Sequence, residues 1–209
     1  MPIPRPYLVL LVAATTALTG CNGGTNTSAG SAGLASPASP TATAESPMDT
    51  ASPAKPSKQD RNWLKKIHQG NLAEIQAGQL AKEKGSAEAV REFGALLVKD
   101  HDKLDKQVVK TAKQLGVKLP KNSSGEQKRT LAALRDASRS DFDQEFLIAM
   151  RDAHEKAVAQ TKTEIEKGSS PQVKQLAEQA LPQLERHLEE IGKIPGGERP
   201  GDSPAPGNS

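Results

Sequence analysis

Between residues 57 and 194, apolar side chains return every three or four positions, and no stretch alternates with a period of two. This spacing excludes a sheet and commits about two thirds of the chain to helices whose apolar stripes must be buried against one another. Four long segments carry the stripes. The first opens at Ser57-Lys58-Gln59-Asp60, a serine cap with an acid three residues on, and runs through Leu64, Ile67, Leu72 and Ile75 to a stop at Gly85. The second starts at Ser86 and carries Val90, Phe93, Leu97, Leu104, Val108 and Leu115 before Gly116 and Pro120 end it. The third opens at Ser140-Asp141-Phe142-Asp143 and holds Phe146, Leu147, Met150, Val158 and Ile165 up to Gly168. The fourth has Ser170 as cap and Pro171 at its first helical position, then Val173, Leu176, Ala180, Leu184, Leu188 and Ile191, with Pro182 expected to kink it.

Glu83-Lys84-Gly85-Ser86 joins the first two segments and Glu166-Lys167-Gly168-Ser169 joins the last two, so the chain carries two helical hairpins with turns of one design. The link between the hairpins, Gly116 to Arg139, is too long for a neighbour loop and contains a short capped helix around Glu126 to Ala137 that presents Leu131 and Leu134. A dozen helical residues cover roughly 18 Å, and with extended flanks the link can cross the length of a bundle. The expected fold is therefore all-α: a ferritin-like four-helix bundle with a short extra helix in the crossover, which makes the third long helix parallel to the second.

Outside residues 57–194 the composition changes. Arg5, an apolar run from Tyr7 to Ala17, and Leu18-Thr19-Gly20-Cys21 form the pattern of a lipoprotein signal, with residues 1–20 removed and Cys21 as the lipid-bearing N-terminus. Residues 21–56 are almost entirely Gly, Ala, Ser, Thr and Pro, as expected of a disordered tether, and residues 195–209 form a shorter tail of the same style. These features predict an extracytoplasmic protein anchored to the membrane of a bacterial envelope. The net charge of +3 is small beside 28 basic and 25 acidic side chains, and the signs are interleaved, which gives no basis for nucleic-acid binding.

The four histidines, His68, His101, His154 and His187, fall one to each long helix and continue or border the apolar stripes. The two in each hairpin are 33 residues apart. Facing imidazoles with carboxylates are how bundles build metal sites, and Glu74 is the acid closest to the inward side of the first helix. Packed histidines bonded to Asp, Glu or a backbone carbonyl, or a pH-sensitive core, are the other readings of the same pattern. Counted from the turns, the crossover topology separates the two histidine pairs by roughly 10 Å and brings Glu74 level with His154, which argues against a four-histidine site. Glu three residues before His, the di-iron signature, is missing: Val98, Arg151 and Leu184 stand there before His101, His154 and His187.

From Asp60 to Ile194 the chain resembles the bacterial domain of unknown function 4142 family. The resemblance rests on Gly70-Asn71-Leu72-Ala73-Glu74-Ile75, Val98-Lys99-Asp100-His101, Gly116-Val117-Lys118-Leu119-Pro120, Phe142-Asp143 with Phe146, Ala149-Met150 and His154, and Leu181-Pro182-Gln183-Leu184-Glu185-Arg186-His187-Leu188. It implies a secreted or lipid-anchored ferritin-like bundle and places Glu74, His101, His154 and His187, but not His68, at motif positions; it brings no established activity. Two functions follow as expectations. One is a non-catalytic envelope protein that binds a partner, and the other a metal-binding or redox bundle using a transition metal ion on the inward histidines. An enzyme of serine or cysteine type is disfavoured, because Cys21 is committed to lipid and no nucleophile constellation can be argued from the spacing.

Overall fold

The computed structural model describes residues 55–198. The expected signal peptide, Cys21 and nearly all of the tether and tail lie outside the described residues. Five helices follow in order: α1 (Lys58–Lys84), α2 (Glu88–Gln114), the short α3 (Gly125–Asp136), α4 (Arg139–Lys167) and α5 (Pro171–Lys193). None of them is long and apolar enough to cross a membrane.

Local chemistry sets the helix ends. Ser57 and Asp60 form a reciprocal capping box at the start of α1, and Ser124 with Gln127 does the same for α3. Gly85 caps the end of α1, and Gly116, at φ 66°, lets the chain turn away after α2. Two starts differ from expectation. α2 begins at Glu88 rather than Ser86, because the free N–H groups of Ser86 and Ala87 donate to the Asp143 carboxylate of α4 at 2.9 and 2.8 Å. α4 begins at Arg139, capped by Ser138 accepting from Asp141 N. α5 continues through Pro182 as one helix.

α1 and α2 pack backbone to backbone as an antiparallel hairpin: a Cβ on Gly78 would stand 2.6 Å from the Gly94 carbonyl oxygen. α4 runs antiparallel to α1, since Trp63 near the start of α1 donates to Thr161 near the end of α4 at 3.2 Å. It runs parallel to α2, since Phe93 meets Phe146 and His101 meets His154, with ring centroids 6.2 and 5.4 Å apart. This is the crossover topology, and α3 makes the crossing. Leu131 and Leu134 anchor it to the bundle, while the Lys84 ammonium takes the carbonyls of Leu134, Arg135 and Ala137 at its C-terminal end.

The core falls into two apolar blocks. Trp63, Leu64, Val108, Val173 and Ala177 fill one end, and Phe93, Leu97, Phe142, Phe146 and Ile191 fill the other. Between them lies a buried polar layer containing Asn71, Glu74, His101, His154 and His187. Such a layer weakens the core unless each of its groups finds a partner.

Candidate metal centre

All four long helices contribute to that layer: Glu74, with Asn71, from α1, His101 from α2, His154 from α4 and His187 from α5. The three imidazoles are 1% exposed or less, and one ring nitrogen from each lies within 4.8 Å of the others. His154 Nε2 stands 3.0 Å from His187 Nδ1, and Glu74 Oε2 stands 2.9 Å from His101 Nε2 and 3.3 Å from His154 Nε2. The expected separation of about 10 Å holds for His68, which stands six residues or about 9 Å along α1 from Glu74, but not for His101, which joins the second pair. The difference lies in the turns: α2 begins only at Glu88 and α5 only at Pro171, and the non-helical residues before them add little rise along the axis. Glu74 and His154 do stand at one level.

His68 takes no part in the cluster. Its Nδ1 pairs with Asp105 at 2.7 Å and its Nε2 meets the Pro120 carbonyl at 3.0 Å, fastening α1 to α2 and to the loop after it. It is the packed, hydrogen-bonded histidine that the sequence allowed.

The outward nitrogens of the other three rings define the state of the inward ones. Asn71 must present its amide nitrogen to Asp105, 3.3 Å away, so its oxygen faces His101 Nδ1 at 3.0 Å and accepts from it. His154 Nδ1 donates to the Met150 carbonyl at 2.9 Å. His187 Nε2 donates to the Asp100 carboxylate at 3.1 Å, which also takes the Arg186 guanidinium at 3.0 Å. With these protons placed outward, neutral rings turn three lone pairs inward, toward one another and toward a carboxylate. His154 and His187 can share a hydrogen bond only if an additional proton enters.

The electrostatics oppose that proton. Burial drives His154 toward its neutral form against the pull of Glu74. Burial, reinforced by His154 and His101, brings His187 down to about 4. Burial alone would raise the Glu74 carboxyl, and only positive charge beside it, on His101 and His154 with His187 behind them, outweighs burial and brings it to about 2; neutral rings do not supply that charge. Glu74 Oε2 and His101 Nε2 lie 2.9 Å apart, yet neither makes a directed hydrogen bond. A buried anion among neutral lone pairs is an expensive arrangement for a core to hold by itself.

The same atoms are of the kind and spacing that a tetrahedral metal ion takes. Ligands at about 2.0–2.1 Å from such an ion stand about 3.3 Å apart, against separations of 2.9, 3.0 and 3.3 Å within a set whose nitrogens lie no more than 4.8 Å apart. The outward partners Asn71, Met150 and Asp100 are of the kind that orient ligating imidazoles. Asn71 escaped the sequence reading as a site residue, although an asparagine inside a helix on its apolar face is a signal of a specific polar contact.

No curated protein matches the chain. Among solved structures, the chain is similar to the crystal structure of a DUF305 fragment from Deinococcus radiodurans, at 18% identity and a TM-score of 0.57, over 64% of this chain and 93% of that one. At that identity the likeness shows a shared fold alone. Residues 45–194 match the family described as Domain of unknown function (DUF4142), so the chain that builds this four-helix, three-histidine layer belongs to the DUF4142 family.

Proposed function

We propose that the bundle is a metal-binding module that holds one divalent transition-metal ion on Glu74, His101, His154 and His187, and that it is carried at the outer face of a bacterial membrane by lipid on Cys21. One observation carries the metal reading: three imidazole nitrogens, on rings aimed by the hydrogen bonds of their other nitrogens, lie within 4.8 Å of one another beside a buried carboxylate. A cation supplies the missing partner to all four at once. Three nitrogen donors and one carboxylate oxygen, with no thiolate or thioether, suit Zn²⁺, Cu²⁺, Co²⁺ or Ni²⁺ over Mg²⁺ and Ca²⁺. A divalent ion leaves the four-ligand site with one net positive charge, near the Asp100 carboxylate that His187 and Arg186 share. The anchoring rests on Leu18-Thr19-Gly20-Cys21 and on the Gly/Ser/Thr/Pro-rich composition that follows it.

Isothermal titration of the chelator-treated protein with Zn²⁺ and Cu²⁺, and with Mg²⁺ as the control, tests the metal reading. The expected result is one equivalent of Zn²⁺ or Cu²⁺ per chain, no heat from Mg²⁺, and affinity lowered at least tenfold in His154→Ala and Glu74→Gln. A parent protein that binds neither ion would overturn this reading and return the bundle to a non-catalytic, partner-binding envelope role.

A further inference from the structure

A cleft of about 710 Å³ opens between α1, α3 and α4. It exists because the facing surfaces of α1 and α4 are built there from Gly70, Ala73 and Ala77 on one side and Ala153 and Ala157 on the other, too small to close the gap that α3 bridges. Of the four converging side chains, Glu74 alone lines this cleft. Its residue is 95% buried, and its Oε2, which lacks a hydrogen-bond partner, reaches the imidazoles. The carboxylate is thus at once the inner wall of the cleft and the nearest neighbour of two histidines.

The charges around the cleft favour a cation. Glu126, Glu145 and Asp152 join Glu74 against Lys66 and Lys156, and Lys156 is already paired with Glu126 at 2.9 Å. The balance is negative, which raises the local concentration of cations. On the side of His187 the cluster meets Asp100 of α2, where the Arg186 guanidinium sits on the carboxylate and its charge repels a cation.

Building on the metal reading, we infer that this cleft is the loading port for the ion: a hydrated divalent cation enters between α1 and α4, is captured by the Glu74 carboxylate, and exchanges its water there for the three imidazole nitrogens. The cleft is wide enough to admit the ion with its water shell, and the enclosed rings are reached only after that shell is shed at Glu74.

Stopped-flow absorbance of Co²⁺ binding to the full 209-residue chain tests the port. Ala153→Trp, which plugs the cleft without touching a ligand, should slow loading at least tenfold and leave the final Co²⁺ spectrum and stoichiometry unchanged. The exposed double variant Glu145→Lys with Asp152→Lys should slow it several-fold and flatten its salt dependence, whereas Arg186→Ala should leave the rate as in the parent. Loading that is equally fast in the parent and in both cleft variants, or that accelerates in Arg186→Ala while the cleft variants are unaffected, would overturn the port and leave the metal reading standing. No Co²⁺ spectrum in the parent, together with no Zn²⁺ or Cu²⁺ binding, would overturn both.

Discussion

Two buried carboxylates in this bundle meet opposite surroundings. Asp60, at the start of α1, is ringed by donors: Ser57 N at 2.5 Å, Ser169 N at 3.0 Å, Ser169 Oγ at 2.9 Å and Ser170 N at 3.1 Å. It sits at the N-terminus of α5, where the helix dipole also favours a negative charge. Together these bonds outweigh burial and hold the Asp60 carboxyl far below the usual range. Beside it, burial and then Asp60 raise the Glu164 carboxyl to about 7, and Gln59 donates to its Oε2 at 2.9 Å. Glu74, midway along the bundle, faces three rings whose protons all point elsewhere. Asp60 is completed by N–H and O–H groups that the chain itself supplies. On the proposed metal reading Glu74 is completed by a cation, and the two carboxylates differ as a structural polar cluster differs from a binding site.

The contrast is sharpest in the response to metal. At an ion concentration 1,000-fold above Kd, binding stabilises the native state by about 4 kcal/mol, which should raise the thermal midpoint by roughly 10 °C. His154→Ala should cut that rise by a third or more, about 1.4 kcal/mol for each tenfold loss of affinity, and Asp60→Asn should retain it; a scan in which both variants respond alike would erase the distinction. Asp60→Ala should cost about 3 kcal/mol in denaturant unfolding, because three backbone N–H groups lose their acceptor, while one equivalent of metal is still bound.

The clusters also titrate in opposite directions. The Glu164 carboxyl is higher in the folded state than its ordinary value of 4.5, so its contribution is full below that value and is lost as pH rises through about 7. Glu164→Gln, which keeps the donor, should remove about 2 kcal/mol of that loss, measured as a flatter stability profile between pH 5 and pH 8. His154 and His187 are lower than their ordinary 6.5, so in the metal-free protein their contribution is present above that value and is lost as pH falls toward about 4. Metal should be released over the same acidic interval, a change that dialysis followed by metal analysis would record. The smallest effect is expected at the exposed Lys156–Glu126 pair, 2.9 Å long, where Glu126→Gln should leave the unfolding midpoint unchanged.

The sequence carried much of this because helical stripes are local. The four long helices, the short α3 and the inward histidines all follow from positions three and four apart, and Glu74 stood out as the acid on the stripe of its helix. What the stripes did not carry was long-range. Asp143 takes the start of α2 from across the bundle, Asp60 takes the start of α5, and Lys84 closes the end of α3; each joins residues more than fifty positions apart. The levels of His101 and His187 depend on where α2 and α5 begin, and the stripes do not mark the non-helical residues before Glu88 and Pro171. Asn71 was overlooked because its role appears only once Asp105 fixes the orientation of its amide.

The most direct measurement is X-ray absorption at the zinc edge on protein loaded with one equivalent of Zn²⁺. The account predicts a four-coordinate shell of light donors at about 2.0–2.1 Å, with the outer-shell scattering of three imidazoles, reduced to two in His187→Ala. A shell without imidazole scattering, or one unaltered by His187→Ala, would contradict it.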